Sequence, residues 1–147
     1  LLFPGILQVV RFDIIHPTAE VAEKLNITTD DFVYDIVRLR QVDDSPVVIE
    51  YTNMPIELIP GIKREVLENS IYRYIEEQLH FKIQSAHRFI RALLPTTEEE
   101  DLLQIEHGTL PILEVEQVAF LDDGRAFEYA KAHHRGDKQV FRVVSIR

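Results

Sequence analysis

Short connections between β-rich runs are the feature that most constrains how this chain can fold. Residues 32–42 and 47–53 are rich in β-branched and aromatic side chains, and only Asp43-Asp44-Ser45-Pro46 separates them. These residue types favour a tight reversal, whereas parallel strands need a crossover of about a dozen residues or more. Short separators, centred on Gly124 and Gly136, also divide the β-like runs at residues 111–120, 126–134 and 139–146. The sequence therefore predicts a largely antiparallel sheet.

Helical spacing and capping residues place three helices among these strands. Residues 18–25, about 70–80 and about 97–105 have apolar side chains at helical intervals or a capping signal at their start. Residues 6–14 alternate as a strand does, and a long β-like run covers residues 82–94. The predicted order is β-α-β-β-α-β-α-β-β-β. The expected fold class is α+β, with helices packed on the antiparallel sheet.

Composition narrows the class of protein. The 147 residues are 46% hydrophobic and 28% charged, which is typical of a globular domain, and we expect one domain over residues 1–147. There is no cysteine, no apolar run of membrane-spanning length and no signal-peptide pattern, so we expect a cytoplasmic protein. A net charge of −9 and scattered basic residues argue against DNA binding by this chain. The histidines lack metal-site spacing, and we expect neither a metal nor a cofactor.

Arg38 and Arg40 are the first candidates for a binding site. They stand two apart in a predicted strand, so both side chains leave the same face of the sheet. Glu50 lies across the predicted hairpin and could orient the arginines or accept a ligand hydroxyl. The same three residues could instead form a surface ion cluster that serves only solubility, and spacing alone does not separate the two interpretations.

The start of the second predicted helix offers a further candidate. Free backbone N–H groups, the Ser70 hydroxyl and the positive end of the helix dipole suit an anion, and Tyr72 adds a phenol. Simple capping is the alternative. In the strand over residues 126–134, Glu128 and His134 share a face with small side chains, namely Ala126, Ala130 and Ala132. Those alanines leave room either for a ligand or for a closely packed helix.

Several sequence cues, taken in order, resemble the UTRA effector domain of GntR-type bacterial repressors, in the subfamily named for the histidine-utilisation repressor. The cues are Val37-Arg38-Leu39-Arg40, Pro46-Val47-Val48-Ile49-Glu50, Met54-Pro55 with Ile59-Pro60-Gly61, Asn69-Ser70-Ile71-Tyr72, Phe127-Glu128-Tyr129 and His134-Arg135-Gly136-Asp137. Phe141-Arg142-Val143 looks like the closing strand of that family. The resemblance runs from about Val9 to the C-terminus.

The resemblance implies a fold similar to chorismate lyase, with an antiparallel sheet flanked by helices. It also implies a homodimer that follows a winged helix-turn-helix domain. Because the chain begins without Met, we expect it to be a fragment from which that DNA-binding domain is absent. In the sugar-phosphate sensors of the family, the positions matching Arg38, Arg40, Ser70 and Tyr72 bind phosphate. The positions matching Glu50 and Glu128 hold sugar hydroxyls or an amine, and His134 stands where tyrosine is common.

The expected function is therefore that of a non-enzymatic sensor. It would bind a small anionic metabolite, a sugar phosphate or amino-sugar phosphate, and couple it to DNA binding by the absent domain. Two alternatives are a chorismate lyase-like enzyme on the same fold and a dimerisation module without a working pocket. No arrangement of Ser, His and acid and no glycine-rich phosphate loop can be identified among these residues.

Overall fold

The fold is built on a six-stranded sheet. A computed structural model describes residues 5–147 of the chain. The spatial order of the strands is β1-β2-β3-β6-β5-β4, and every neighbouring pair is antiparallel, as predicted. The strands are β1 (Ile6–Ile15), β2 (Val33–Val42), β3 (Ser45–Pro55), β4 (Ile83–Leu93), β5 (Ile112–Leu121) and β6 (Ala126–Arg135).

Within residues 5–147, four short helices connect the strands. They are α1 (Ala19–Leu25), α2 (Arg64–Leu67), α3 (Ile71–Glu77) and α4 (Thr97–Leu103). Thr18, Ser70 and Thr96 cap α1, α3 and α4 as the sequence predicts, each accepting a backbone N–H three residues on. Helix α3 ends earlier than predicted, and α2 was not predicted because four residues give no periodic signal. No helix within residues 5–147 is long and apolar enough to cross a membrane.

The β2–β3 hairpin follows the predicted reversal. Asp43 and Asp44 form its tip with φ angles of 51° and 63°. Two successive residues in the left-handed region are the signature of a type I′ turn, whose twist matches that of paired strands. The tight turn brings Arg38 directly opposite Glu50 in the ladder.

The predicted final strand at residues 139–146 is wrong. Residues 139–147 have no regular secondary structure, and Val143, Val144 and Ile146 are 85–91% exposed. Their β-branched pattern favours a strand, but a strand needs an unpaired edge to join. Strand β6, which precedes this segment, lies between β3 and β5, so both of its edges are already occupied.

The helices cover both faces of the sheet, and each face has its own core. On the face we call the α3 face, α2 and α3 pack over the sheet, with Ile75 and Phe127 fully buried. On the opposite α4 face, α4 packs over Leu39 and Ile49, and α1 packs beside it over Val33. Arg40, Val48 and His134 lie outside the core of the α3 face and line a cavity there.

Candidate functional site

Arg38, Arg40 and Glu50 meet on the α3 face. The Glu50 Oε2 atom lies 3.6 Å from Arg38 Nη2 and 3.5 Å from Arg40 Nη2. Only 9% of the Arg38 side chain and 12% of the Arg40 side chain are exposed. Long charged side chains that serve solubility extend into water, so this burial argues against the surface-cluster interpretation.

Arg38 also ties the sheet to the start of α3. Its Nη1 donates to the carbonyl of Leu67 at 3.1 Å and to the carbonyl of Asn69, next to the α3 cap, at 3.5 Å. Burial lowers the pKa of Arg38, an effect opposed by Glu50 and Glu128. Its Nε is buried and has no hydrogen-bond partner within residues 5–147. Arg38 is thus both an anchor for the helix and a buried positive charge.

Tyr72, Glu128 and Gln117 form a second cluster beside the first. The Tyr72 hydroxyl donates to Glu128 Oε1 at 2.7 Å, and Gln117 Nε2 lies 2.8 Å from both of these oxygens. Burial raises the pKa of Glu128, against the opposing effects of Tyr72, Gln117 and Arg38. Burial and the neighbouring Glu128 also raise the pKa of Tyr72, so its hydroxyl keeps its proton at neutral pH. Gln117 was not among the predicted site residues.

A cavity of about 330 Å³ opens beyond Arg40 on the α3 face. Arg40, Glu50 and His134 line it, together with Lys138 and apolar side chains of the β2–β3 hairpin. His134 is held edge-on against Phe141, with ring centroids 6.4 Å apart. Burial lowers the pKa of His134, so its imidazole is neutral at pH 7 despite the nearby Glu50. The cavity thus offers two cationic groups, Arg40 and Lys138, and one carboxylate, Glu50.

The predicted site residues divide into two groups in the structure. Arg40, Glu50 and His134 line the cavity, whereas Tyr72 and Glu128 lie in the adjoining cluster. Arg38 connects the two groups, because it pairs with Glu50 and donates to the Asn69 carbonyl. The Ser70 hydroxyl accepts from the Arg73 N–H, as simple capping requires. Ala126, expected on the same face as Glu128, instead packs with the α1 core, because a register shift interrupts the β5–β6 ladder there. The binding roles of all seven residues stay predictions.

A separate polar network lies on the α4 face, behind the cavity. Both ring nitrogens of His133 face carboxylates: Nδ1 contacts Glu99 of α4, and Nε2 lies 2.7 Å from Glu114 of β5. The Tyr51 hydroxyl donates to Glu99 at 2.7 Å, and Arg91 pairs with Glu114. Burial lowers the pKa of His133, but the hydrogen bonds with Glu99 and Glu114 outweigh it, so the net shift is upward. Within the described part of the chain, no group of three or more His, Asp or Glu residues could hold a metal ion.

The fold and the residue pattern define a family. Residues 6–139 match the model of the UTRA domain, and the chain belongs to that family. It is similar to the HTH-type transcriptional regulator GmuR of Bacillus subtilis strain 168, with 46% identity over 140 residues. It is also similar to MngR of Escherichia coli K12, named as the mannosyl-D-glycerate transport/metabolism system repressor, with 35% identity over 140 residues. Both matches cover 95% of this chain but only 59% and 58% of the relatives.

Solved structures agree with this assignment. A GntR-family transcriptional regulator from Bacillus cereus superposes with a TM-score of 0.87 and 36% identity, over 97% of this chain and 100% of that one. The effector-binding domain of the Bacillus subtilis trehalose repressor TreR gives a TM-score of 0.84 and 30% identity, over 97% and 98% of the two chains. The chain thus has the fold of a GntR-type effector domain, as its sequence predicts.

Proposed function

We propose that this chain is the sensor domain of a bacterial transcriptional repressor and that it binds a small anionic metabolite of the sugar-phosphate class. The relatives GmuR and MngR are transcriptional regulators, which supports a regulatory and non-enzymatic role in the cytoplasm. MngR and the trehalose repressor are named for sugar derivatives, which supports a carbohydrate moiety in the ligand.

The buried pair of guanidinium groups carries the proposal. Arg38 and Arg40 share the single carboxylate of Glu50, and Lys138 lines the cavity beside Arg40. Across the cavity and the adjoining cluster, the charges of Arg38, Arg40 and Lys138 exceed those of Glu50 and Glu128 even when Glu128 is ionised. Burial weakens screening by water, so an anionic group that enters is attracted more strongly than at the surface. We propose that the anionic group binds at Arg38, Arg40 and the Ser70-Ile71-Tyr72 segment, while Glu50, Glu128 and His134 contact the sugar.

Titration calorimetry with glucose 6-phosphate, glucosamine 6-phosphate and mannose 6-phosphate tests this function. At least one ester is expected to bind, and Lys138→Gln should weaken it by roughly threefold to tenfold, the usual effect of losing a partly exposed charge contact. Arg142→Gln is the matched control, since Arg142 is exposed in the same C-terminal segment. Absence of binding by all three esters would contradict the proposal, and product release from chorismate would favour an enzyme instead.

We also propose that the chain forms a homodimer and acts on DNA through a domain outside it. Strand β4 supports the first part, because it lies at a sheet edge and residues 84–92 are exposed on both faces. Phe89 and Ile90 are about half exposed there, which is unusual for large apolar side chains in a strand. Analytical ultracentrifugation should show a species of twice the chain mass. Ile90→Lys should shift it towards the monomer, whereas Ile14→Lys, on the opposite edge strand, should not; a monomer for the unchanged chain would contradict the proposal.

A further inference from the structure

The hydrogen-bond directions around Tyr72 are fixed by its neighbours. Arg88 Nε donates to Gln117 Oε1 at 2.9 Å, and arginine can only donate, so the carbonyl end of the Gln117 amide must face Arg88. The Nε2 end therefore faces Tyr72 and Glu128, at 2.8 Å from each acceptor. Because the Tyr72 oxygen accepts from Gln117, its own proton points to Glu128, 2.7 Å away.

This arrangement leaves Tyr72 without a proton to give to a ligand. A phenol has one O–H group, and here that group is already donated to Glu128. The ionised oxygens of a phosphate ester only accept hydrogen bonds from the protein. For Tyr72 to bind an anion, its hydroxyl must therefore turn away from Glu128.

If the Tyr72 hydroxyl turns away, Glu128 loses a hydrogen-bond donor. It is 5% exposed, so it cannot replace the lost donor with bulk water. The charged and polar groups around it are Tyr72 of α3, Gln117 of β5, Arg38 of β2 and Glu50 of β3, with Arg88 of β4 behind Gln117. After the turn it would keep only the Gln117 bond and would gain a second negative charge nearby. Both changes favour its protonated form.

We propose that anion binding at Tyr72 is coupled to uptake of a proton by Glu128, with Gln117 as the positioning residue that directs the Tyr72 hydroxyl to Glu128. The proposal rests on the proposed function, because it assumes that Tyr72 contacts the anion. The proton comes from solvent, and no covalent bond changes. Affinity for the anion must then rise as the pH falls, since the complex holds one proton more than its separate components.

Calorimetry in two buffers of different ionisation enthalpy, PIPES and Bis-Tris at pH 6.5, measures the proton uptake directly. The probes are glucose 6-phosphate and mannose 6-phosphate, and the compared proteins are the unchanged chain, Glu128→Gln and Glu76→Gln. Glu76 is exposed on α3 and serves as the matched control. Phosphate esters also titrate near this pH, and their contribution is common to all three proteins. The difference in proton uptake between the unchanged chain and Glu128→Gln therefore measures the proton taken up by Glu128.

The expected result is an uptake several tenths of a proton larger in the unchanged chain and in Glu76→Gln than in Glu128→Gln. Between pH 6.5 and 8, affinity should fall roughly fivefold more in the unchanged chain than in Glu128→Gln. Tyr72→Phe removes the hydroxyl proton that Tyr72 donates to Glu128, and it should lose the same excess of proton uptake. This second variant keeps the test valid if Glu128→Gln does not fold. Equal uptake in all four proteins overturns this inference while leaving the proposed function intact. Absence of binding by every ester overturns the proposed function first.

Discussion

The free energy of unfolding is expected to decrease as the pH rises above 6.5, the ordinary pKa of histidine, because His133 in the folded protein keeps its proton to a higher pH than it does in the unfolded chain. Both ring nitrogens of His133 face carboxylates, Glu99 and Glu114, and only the protonated imidazole can donate to both at once. These hydrogen bonds outweigh burial and raise the pKa of His133 above its usual 6.5. Their contribution to stability is complete below the unfolded-state pKa and is lost as the pH rises through the folded-state pKa.

At low pH, the carboxylate Glu99 makes the free energy of unfolding depend on pH in the opposite direction, so that stability falls as the pH falls. The hydrogen bonds from His133, Thr96 and Tyr51 outweigh burial and lower the pKa of Glu99 to about 2. This part of the stability is present above the ordinary pKa of Glu and is lost as the pH falls towards 2. The link between α4 and the sheet is therefore strongest between these limits, in mildly acidic solution.

Urea unfolding of His133→Gln tests the role of this network. Glutamine cannot supply a positive charge to two buried carboxylates, so we expect a loss of about 3 kcal/mol at pH 6 and a smaller loss at pH 8.5. His107→Gln is the matched control, because His107 is exposed and pairs with the exposed Asp101. Equal losses at the two pH values would show that His133 is neutral in the folded protein.

Substitution of Arg38 is expected to lower the free energy of unfolding more than substitution of Arg40. Arg38→Met removes the donor to the carbonyls of Leu67 and Asn69 and leaves buried Glu128 with less positive charge nearby. We expect this variant to lose about 3 kcal/mol of unfolding free energy, together with ligand binding. Arg40→Met should lose only about 1 kcal/mol but should weaken phosphate-ester binding at least about tenfold, since Arg40 lines the cavity.

Urea titration and calorimetry on the same samples measure both effects. Methionine keeps the apolar volume of the arginine stem, so the comparison isolates the guanidinium group. Arg142→Met, in the exposed C-terminal segment, should change neither quantity. If Arg38→Met proved as stable as Arg40→Met, the bonds from Arg38 to the α3 start would not anchor that helix.

Local sequence patterns predicted most of the elements because each pattern acts over a few residues. The Asp43-Asp44 turn and the caps at Thr18, Ser70 and Thr96 all depend on neighbouring residues, and all were placed correctly. The strand order depends instead on contacts between distant residues. Without knowing that β6 lies inside the sheet, the sequence could not show that the following apolar segment is unable to pair with β6.

The candidate site was predictable only where one element carries it. Arg38, Arg40 and Glu50 belong to a single hairpin, so their proximity followed from the turn. Gln117 gave no signal, because a glutamine in an alternating strand is usually a solvent-facing residue. The buried Glu114 gave no signal either, because its partner His133 lies on β6. Glu99, the second partner of His133, lies on α4. Side chains that meet only in the folded sheet cannot be paired from the order of residues.

The position of β6 between β3 and β5 also bears on how the chain acquires its fold. Strand β3 pairs with β6, and α2, α3, β4, α4 and β5 separate the two in sequence. During synthesis, the β1–β3 meander therefore emerges with one side of β3 unpaired until β6 leaves the ribosome. Closing such a distant contact is slow, because the intervening chain loses much of its freedom before the pairing forms. Pairing of β3 with β6, the strands that carry Glu50 and His134, is therefore expected to form late, and the wall of the cavity with it.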